Sequence, residues 1–161
     1  MDLAHQLMIW LCFAFLAYVA WKDFLELRIR NRDVAIFSGM VLLLLALRGF
    51  DGALPDLMAG LLLFVLGFVM WMMGAMGAGD VKLYLPLGVF VGWALLPVYV
   101  VFLLIGSVIM LVAVLLARRF PAGRGRIRAR LTEIAAARAV PYAVPMVFGA
   151  ILTLLPGALR M

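Results

Sequence analysis

Two acidic residues sit where an acid is out of place. Asp23 closes the apolar run Ala17-Tyr-Val-Ala-Trp-Lys22, and Asp80 follows Gly74-Ala-Met-Gly-Ala-Gly79 and precedes Val81-Lys82-Leu83. A carboxylate embedded in dense apolar sequence is costly to keep ionised, which makes it a functional candidate by default. Two such acids sharing one proton can do general acid–base work, the ionised one drawing a proton from water while the protonated one polarises a carbonyl. The glycines ahead of Asp80 each weaken a helix by about 1 kcal/mol relative to Ala, yet they permit positive φ and close backbone approach. Such a segment lets a peptide come near the carboxylate. The same residues also fit a small-residue packing motif, or a helix C-cap followed by an interfacial Asp. On the residues alone both readings stay open.

The elements that must position these acids are membrane helices. The chain has 161 residues, 68% apolar and 14% charged, with a mean hydropathy of +1.20; soluble domains are roughly 45–50% apolar and about 25% charged. That composition excludes a soluble enzyme or a nucleic-acid binder, so no nucleic-acid partner is expected despite the net charge of +6. The apolar stretches are long and Leu-rich, which requires the backbone to be satisfied within helices rather than in a barrel. They run over Leu3–Trp21, Val34–Leu47, Leu57–Met73, Leu83–Ala117 and Val140–Leu159. The fourth would make a helix of about 52 Å, too long for an apolar core about 30 Å thick. It should break near Gly92-Trp93-Ala94-Leu95-Leu96-Pro97, giving six spans. The fold expected is all-α: one polytopic membrane bundle of about six transmembrane helices, residues 1–161 forming a single integral-membrane domain.

The basic residues test that count, because they gather on cytoplasmic connections. With the N-terminus outside, the inner loops hold Lys22, Arg28, Arg30, Arg32, Lys82, Arg118, Arg119, Arg124, Arg126, Arg128, Arg130 and Arg138, leaving only Arg48 and Arg160 outside. Five spans would put the arginine-rich loop on the outer face. The N-out, six-span arrangement is therefore expected, with Asp23 and Asp80 both at cytoplasmic helix ends. In Arg124-Gly-Arg-Ile-Arg-Ala-Arg130 the arginines alternate, which lines no single helical face; the loop is expected to set topology and to touch anionic membrane lipid.

The remaining candidates have plainer readings beside the functional ones. Asp2, Asp51 and Asp56 fall on the outer side and Glu133 can pair with neighbouring arginines; all four read as solvated or charge-balancing groups. Glu26 and Asp33 either pair with Arg30 and Arg32 or attract a basic peptide. Lys82 either acts on the charge of the acid pair or snorkels to the interface. Met70, Met72, Met73 and Met76 are expected in the core. His5 reads as an interfacial residue and Cys12 as a buried, inert thiol. A single cysteine allows no disulfide and no Cys-based zinc site, and neither a metal nor another cofactor is expected.

Taken together, these segments resemble a known family. Gly77-Ala-Gly79-Asp80-Val-Lys82-Leu83 is similar to the GxGD motif of prepilin peptidases, the polytopic aspartic proteases that process type IV pilin-like precursors. Asp23-Phe-Leu-Glu-Leu-Arg-Ile29-Arg-Asn31 resembles the family's first motif, with Arg30 where the family carries Pro. Val140-Pro-Tyr-Ala-Val-Pro-Met-Val-Phe-Gly149 is similar to the start of its last helix. Presenilin-type proteases share GxGD but place their first acid in a Tyr-Asp motif, which Lys22-Asp23 does not match.

The resemblance implies a membrane endopeptidase of the bacterial inner membrane that removes a basic leader from a pilin precursor at the cytoplasmic face. It implies Asp23 and Asp80 as the catalytic pair, and Gly77, Gly79 and Lys82 as the loop around the second. The pilin-like precursor is the implied partner. The chain opens at its first span without a paired-Cys region, so the expected form is the short, peptidase-only one of Tad/Flp-type pili, without methyltransferase activity. The competing expectation is a six-helix transporter or pilus-assembly subunit in which the two acids bind an ion or carry protons.

Overall fold

The computed structural model describes residues 3–119, 126–137 and 141–159. Among them are seven α-helices and no strand: α1 (Leu3–Glu26), α2 (Asn31–Leu47), α3 (Ala53–Met72), α4 (Ala78–Val91), α5 (Leu96–Arg119), α6 (Arg126–Ala137) and α7 (Ala143–Ala158). Each of the six apolar segments read from the sequence coincides with one helix. The long fourth stretch divides where a glycine, a tryptophan and a proline meet. There α4 ends at Val91, Gly92 turns with φ 80°, Trp93–Leu95 form one 3-10 turn, and α5 begins at Leu96. Pro97 falls in the first turn of α5, where its missing N–H has no in-helix acceptor to lose.

Among the described residues, three runs are long and apolar enough to cross a bilayer by themselves: Leu3–Glu26, Ala53–Met72 and Trp93–Ala117. α2, α4 and α7 are shorter, at 17, 14 and 16 residues.

The bundle is inverted relative to a soluble protein. α3 turns Ala59, Gly60, Leu63 and Gly67 inward and leaves Leu61, Leu62, Val65, Leu66 and Val69 exposed. Small residues inside let helices approach closely where lipid removes the hydrophobic drive between them. α3 packs on α4, α5 on α7, and α1 lies between α2 and α7. Of the four methionines expected in the core only Met76 is there; Met70, Met72 and Met73 are exposed.

Asp56, read as a solvated or charge-balancing group, accepts hydrogen bonds from Arg48 and, at 3.1 Å, from the backbone N–H of Trp93. It thereby ties the end of α2, the start of α3 and the turn after α4 together. The arginine-rich segment, read as a loop, forms α6 over its described part; residues 124, 125 and 138 lie outside the described residues. The arginines carry no helical stripe, but Ile127, Leu131 and Ile134 are spaced for one. Ile134 is fully buried against Met110 and Val114 of α5, with Phe24, Leu27 and Leu131 packed around them.

Candidate active site

The buried face of α1 descends through Met8, Cys12, Leu16 and Val19 at intervals of three and four residues, and the next position on that stripe is Asp23. Helical periodicity therefore carries this acid inward, where it is 4% exposed. Its Oδ2 accepts a 3.1 Å hydrogen bond from the backbone N–H of Ala143, the first residue of α7. The first N–H groups of a helix lack in-helix partners and carry partial positive charge, so the carboxylate caps α7 while α7 compensates part of its desolvation.

Asp80 does the same for its own helix. It is the third residue of α4, 8% exposed, and its carboxylate accepts from the backbone N–H groups of Gly77 and of Asp80 itself. A carboxylate reaching back from this position to the capping residue is half of a capping box. Gly77 leaves room for this contact, because a Cβ there would stand 2.7 Å from Asp80 Oδ2 and the carboxylate would have to shift. The other oxygen, Oδ1, is buried and has no hydrogen-bond partner among the described residues. Asp80 precedes the apolar run that begins at Leu83, outside the spanning segment. Burial first, and then the nearby charge of Asp23, push its carboxyl up to about 7 against the opposing pull of the two N–H donors.

The segment between α1 and α2 brings the two acids into register. α1 ends in a left-handed residue, Leu27 at φ 53°. The chain then runs extended, so that Ile29 lies against Gly79; a Cβ on Gly79 would stand 3.0 Å from both the Cβ and the carbonyl oxygen of Ile29. Two residues on, Asn31 Oδ1 accepts a 3.0 Å hydrogen bond from Lys82 Nζ. Arg30 caps α2 with φ −83° and ψ 140°, the polyproline-like conformation that a proline favours. The loop thus keeps the shape a proline would impose.

The two other acids in this segment part company. Glu26 is exposed and bridges Lys22 at 3.2 Å and Arg30 at 3.0 Å. Asp33 is 5% exposed in the first turn of α2 and makes no ion pair among the described residues, with Arg32 or otherwise. His5, near the start of α1, is buried against the bundle, and Cys12 is fully buried. Among the described residues no three His, Cys, Asp or Glu side chains group to hold a metal.

An apolar groove lined by Ala17, Ala20, Trp21, Phe24, Ile127 and Val144 runs beside this centre. Phe24 adjoins Asp23, and Val144 adjoins the amide donor Ala143. The sequence reading missed that donor and Arg130, whose Nε donates to the carbonyl of Phe24 at 3.0 Å. A main-chain N–H carries no residue-type signal. Arg130 was hidden among arginines read as one charged group.

Two buried carboxylates from distant parts of the chain, one acting electrostatically on the other and one with an unengaged oxygen, can hold a single proton between them and activate water. A model of the type IV leader peptidase family matches residues 10–115, which include both acids and the segments around them. No curated protein and no solved structure gives a significant match to the chain.

Proposed function

This chain belongs to the type IV leader peptidase family, and from that premise we propose that it is a membrane aspartic endopeptidase whose catalytic pair is Asp23 and Asp80, cleaving the leader from a type IV pilin-like precursor. The observation that carries this reading is the burial of both acids, with Asp80 in the electrostatic reach of Asp23 and its Oδ1 without a hydrogen-bond partner among the described residues. One proton on the pair gives it unequal members. The ionised carboxylate takes a proton from water, the protonated one polarises the scissile carbonyl, and the roles reverse when the tetrahedral intermediate expels the amine.

The helix termini at Ala143 and Gly77 each hold one acid through a backbone N–H, and Asp80 Oδ1 is the oxygen open to water and substrate. Gly77 and Gly79 shape the loop around the second acid, the one leaving room for the Asp80 carboxylate and the other for Ile29. The apolar groove beside Asp23 supports an arrangement in which the apolar segment after the cleavage site lies against α1 and α7. Glu26, exposed between Lys22 and Arg30, is the acid for which a basic leader would compete; Asp33 is too buried to serve. The basic residues at this end of the bundle support a cytoplasmic, inner-membrane orientation.

The test is co-expression with a candidate precursor, following its size shift with wild type, Asp23→Asn, Asp80→Asn and the double variant. Asn is nearly isosteric and cannot supply the shared proton. Each single change should abolish processing at normal membrane abundance, and the double variant should lose little more because the acids act as a unit. Cleavage retained in either single variant rejects the pair. If the chain is instead an ion-coupled transporter, the same variants lose transport and leave the precursor's processing unchanged.

A further inference from the structure

The last turn of α1, which carries Asp23, is held from outside the residues that the family model matches. The match ends at residue 115, and α6 begins at Arg126. Carbonyls in the last turn of a helix have no in-helix donor. In α1 that of Asp23 is met by the backbone N–H of Leu27 at 2.7 Å, where the helix ends in the left-handed residue. The carbonyl of Phe24, one residue further, accepts from Arg130 Nε at 3.0 Å, across 106 positions of sequence.

Arg130 is itself held. Its Nη1 meets Glu133 Oε2 at 2.7 Å. One turn further along α6, Ile134 is buried between α5 and the Phe24–Leu27 stretch of α1. A guanidinium at a helix C-terminus also complements the negative end of the helix dipole. Its position is therefore a fixed one on protein, unlike that of an arginine spread on lipid headgroups. Asp23 is gripped on two sides: α7 holds the carboxylate through Ala143, and α6 holds the main chain beside it through Arg130.

We infer that Arg130 is a positioning residue for Asp23: from α6 it fixes the end of α1 and so sets where the Asp23 carboxylate stands relative to Asp80. The inference rests on the reading of these two acids as the catalytic pair. A brace of this kind acts on the geometry of the reacting groups and not on substrate affinity, and displacements of about 1 Å at a reacting group cost up to roughly a hundredfold in rate.

The experiment compares wild type, Arg130→Ala, Arg130→Lys and, as a charge-loss control on α5, Arg119→Ala, reconstituted in bilayer discs. Arg130→Ala should lower kcat roughly tenfold or more with KM changed less than about twofold. Lys, which can still donate to the Phe24 carbonyl, should recover much of that loss, and Arg119→Ala should match wild type. Amide exchange supplies a readout independent of cleavage: in Arg130→Ala the peptide covering residues 24–30 should exchange faster, with α3 and α4 unchanged. A rise in KM at constant kcat would place Arg130 on the substrate and overturn the inference. So would equal losses in Arg119→Ala and Arg130→Ala, or unchanged exchange over residues 24–30. Should the wild type itself cleave no precursor, the proposed function fails, while the exchange comparison still decides the brace.

Discussion

Lys82 and Asn31, 51 positions apart, are joined by a 3.0 Å hydrogen bond from the ammonium to the side-chain carbonyl. The bond is exposed, so its net contribution to stability is small, about 1 kcal/mol or less. Its place gives it more weight than its energy: one partner follows Asp80 by two residues, and the other closes the linker that follows Asp23.

Removing either partner should loosen the two acids relative to each other without unfolding the bundle. Lys82→Met and Asn31→Ala are each expected to lower kcat/KM by roughly three- to tenfold, and the double variant should be no worse than the poorer single one. Additive losses in a cleavage assay on all three would show that the residues act separately.

Gly77→Ala is a sharper intervention. The added methyl would meet Asp80 Oδ2 at 2.7 Å, forcing the carboxylate off its N–H donors. Activity should fall roughly a hundredfold while the thermal midpoint in detergent moves only a few degrees. Gly39→Ala, on a helix surface with nothing within 4 Å of the new carbon, serves as the control and should leave both quantities at or above wild type.

The raised proton affinity of Asp80 fixes the direction of the pH response. An ordinary Asp titrates near ~4, and here the carboxyl is pushed up to about 7. The folded protein thus binds this proton more tightly than the unfolded chain. Asp80 contributes stability in full below about 4, and that contribution is lost as pH rises through about 7. Catalysis follows the same limb, because deprotonation leaves two like charges and no acid to polarise the carbonyl. Cleavage measured across pH 5–9 should decline above about 7; a rate still level at pH 9 would show that Asp80 does not hold the required proton.

Orientation is open to direct labelling. In a Cys12→Ser background, a cysteine at Gly52 should react with an impermeant thiol reagent in intact cells. One at Ile127, which is exposed on α6, should react only after the membrane is broken. The reverse pattern would turn the proposed active face outward.

Much of this arrangement was legible in the sequence for reasons that can be stated residue by residue. Hydrophobic run lengths located the spans, and Gly92 with Pro97 located the break, because backbone chemistry at those residues is local. Asp23 and Asp80 stood out because a charge against apolar sequence needs a partner wherever the chain goes. What escaped was non-local or typeless. The Arg48–Asp56–Trp93 cluster joins three turns whose proximity follows only from packing. The Ala143 amide has no signature at all. For α6 a signal existed in Ile127, Leu131 and Ile134, but the denser arginine pattern between them pointed to a loop.

The Ala143–Asp23 hydrogen bond spans 120 residues, and this has a bearing on how the molecule is made. At about 5–20 residues per second, roughly 6–24 seconds of synthesis separate the two partners. For all that time the nascent chain carries Asp23 without the helix end that receives it, and for most of it α6 has not yet been made to hold α1. Assembly of the proposed pair is thus coupled to the synthesis of α7, and a copy halted before that helix would carry both acids in an unfinished setting.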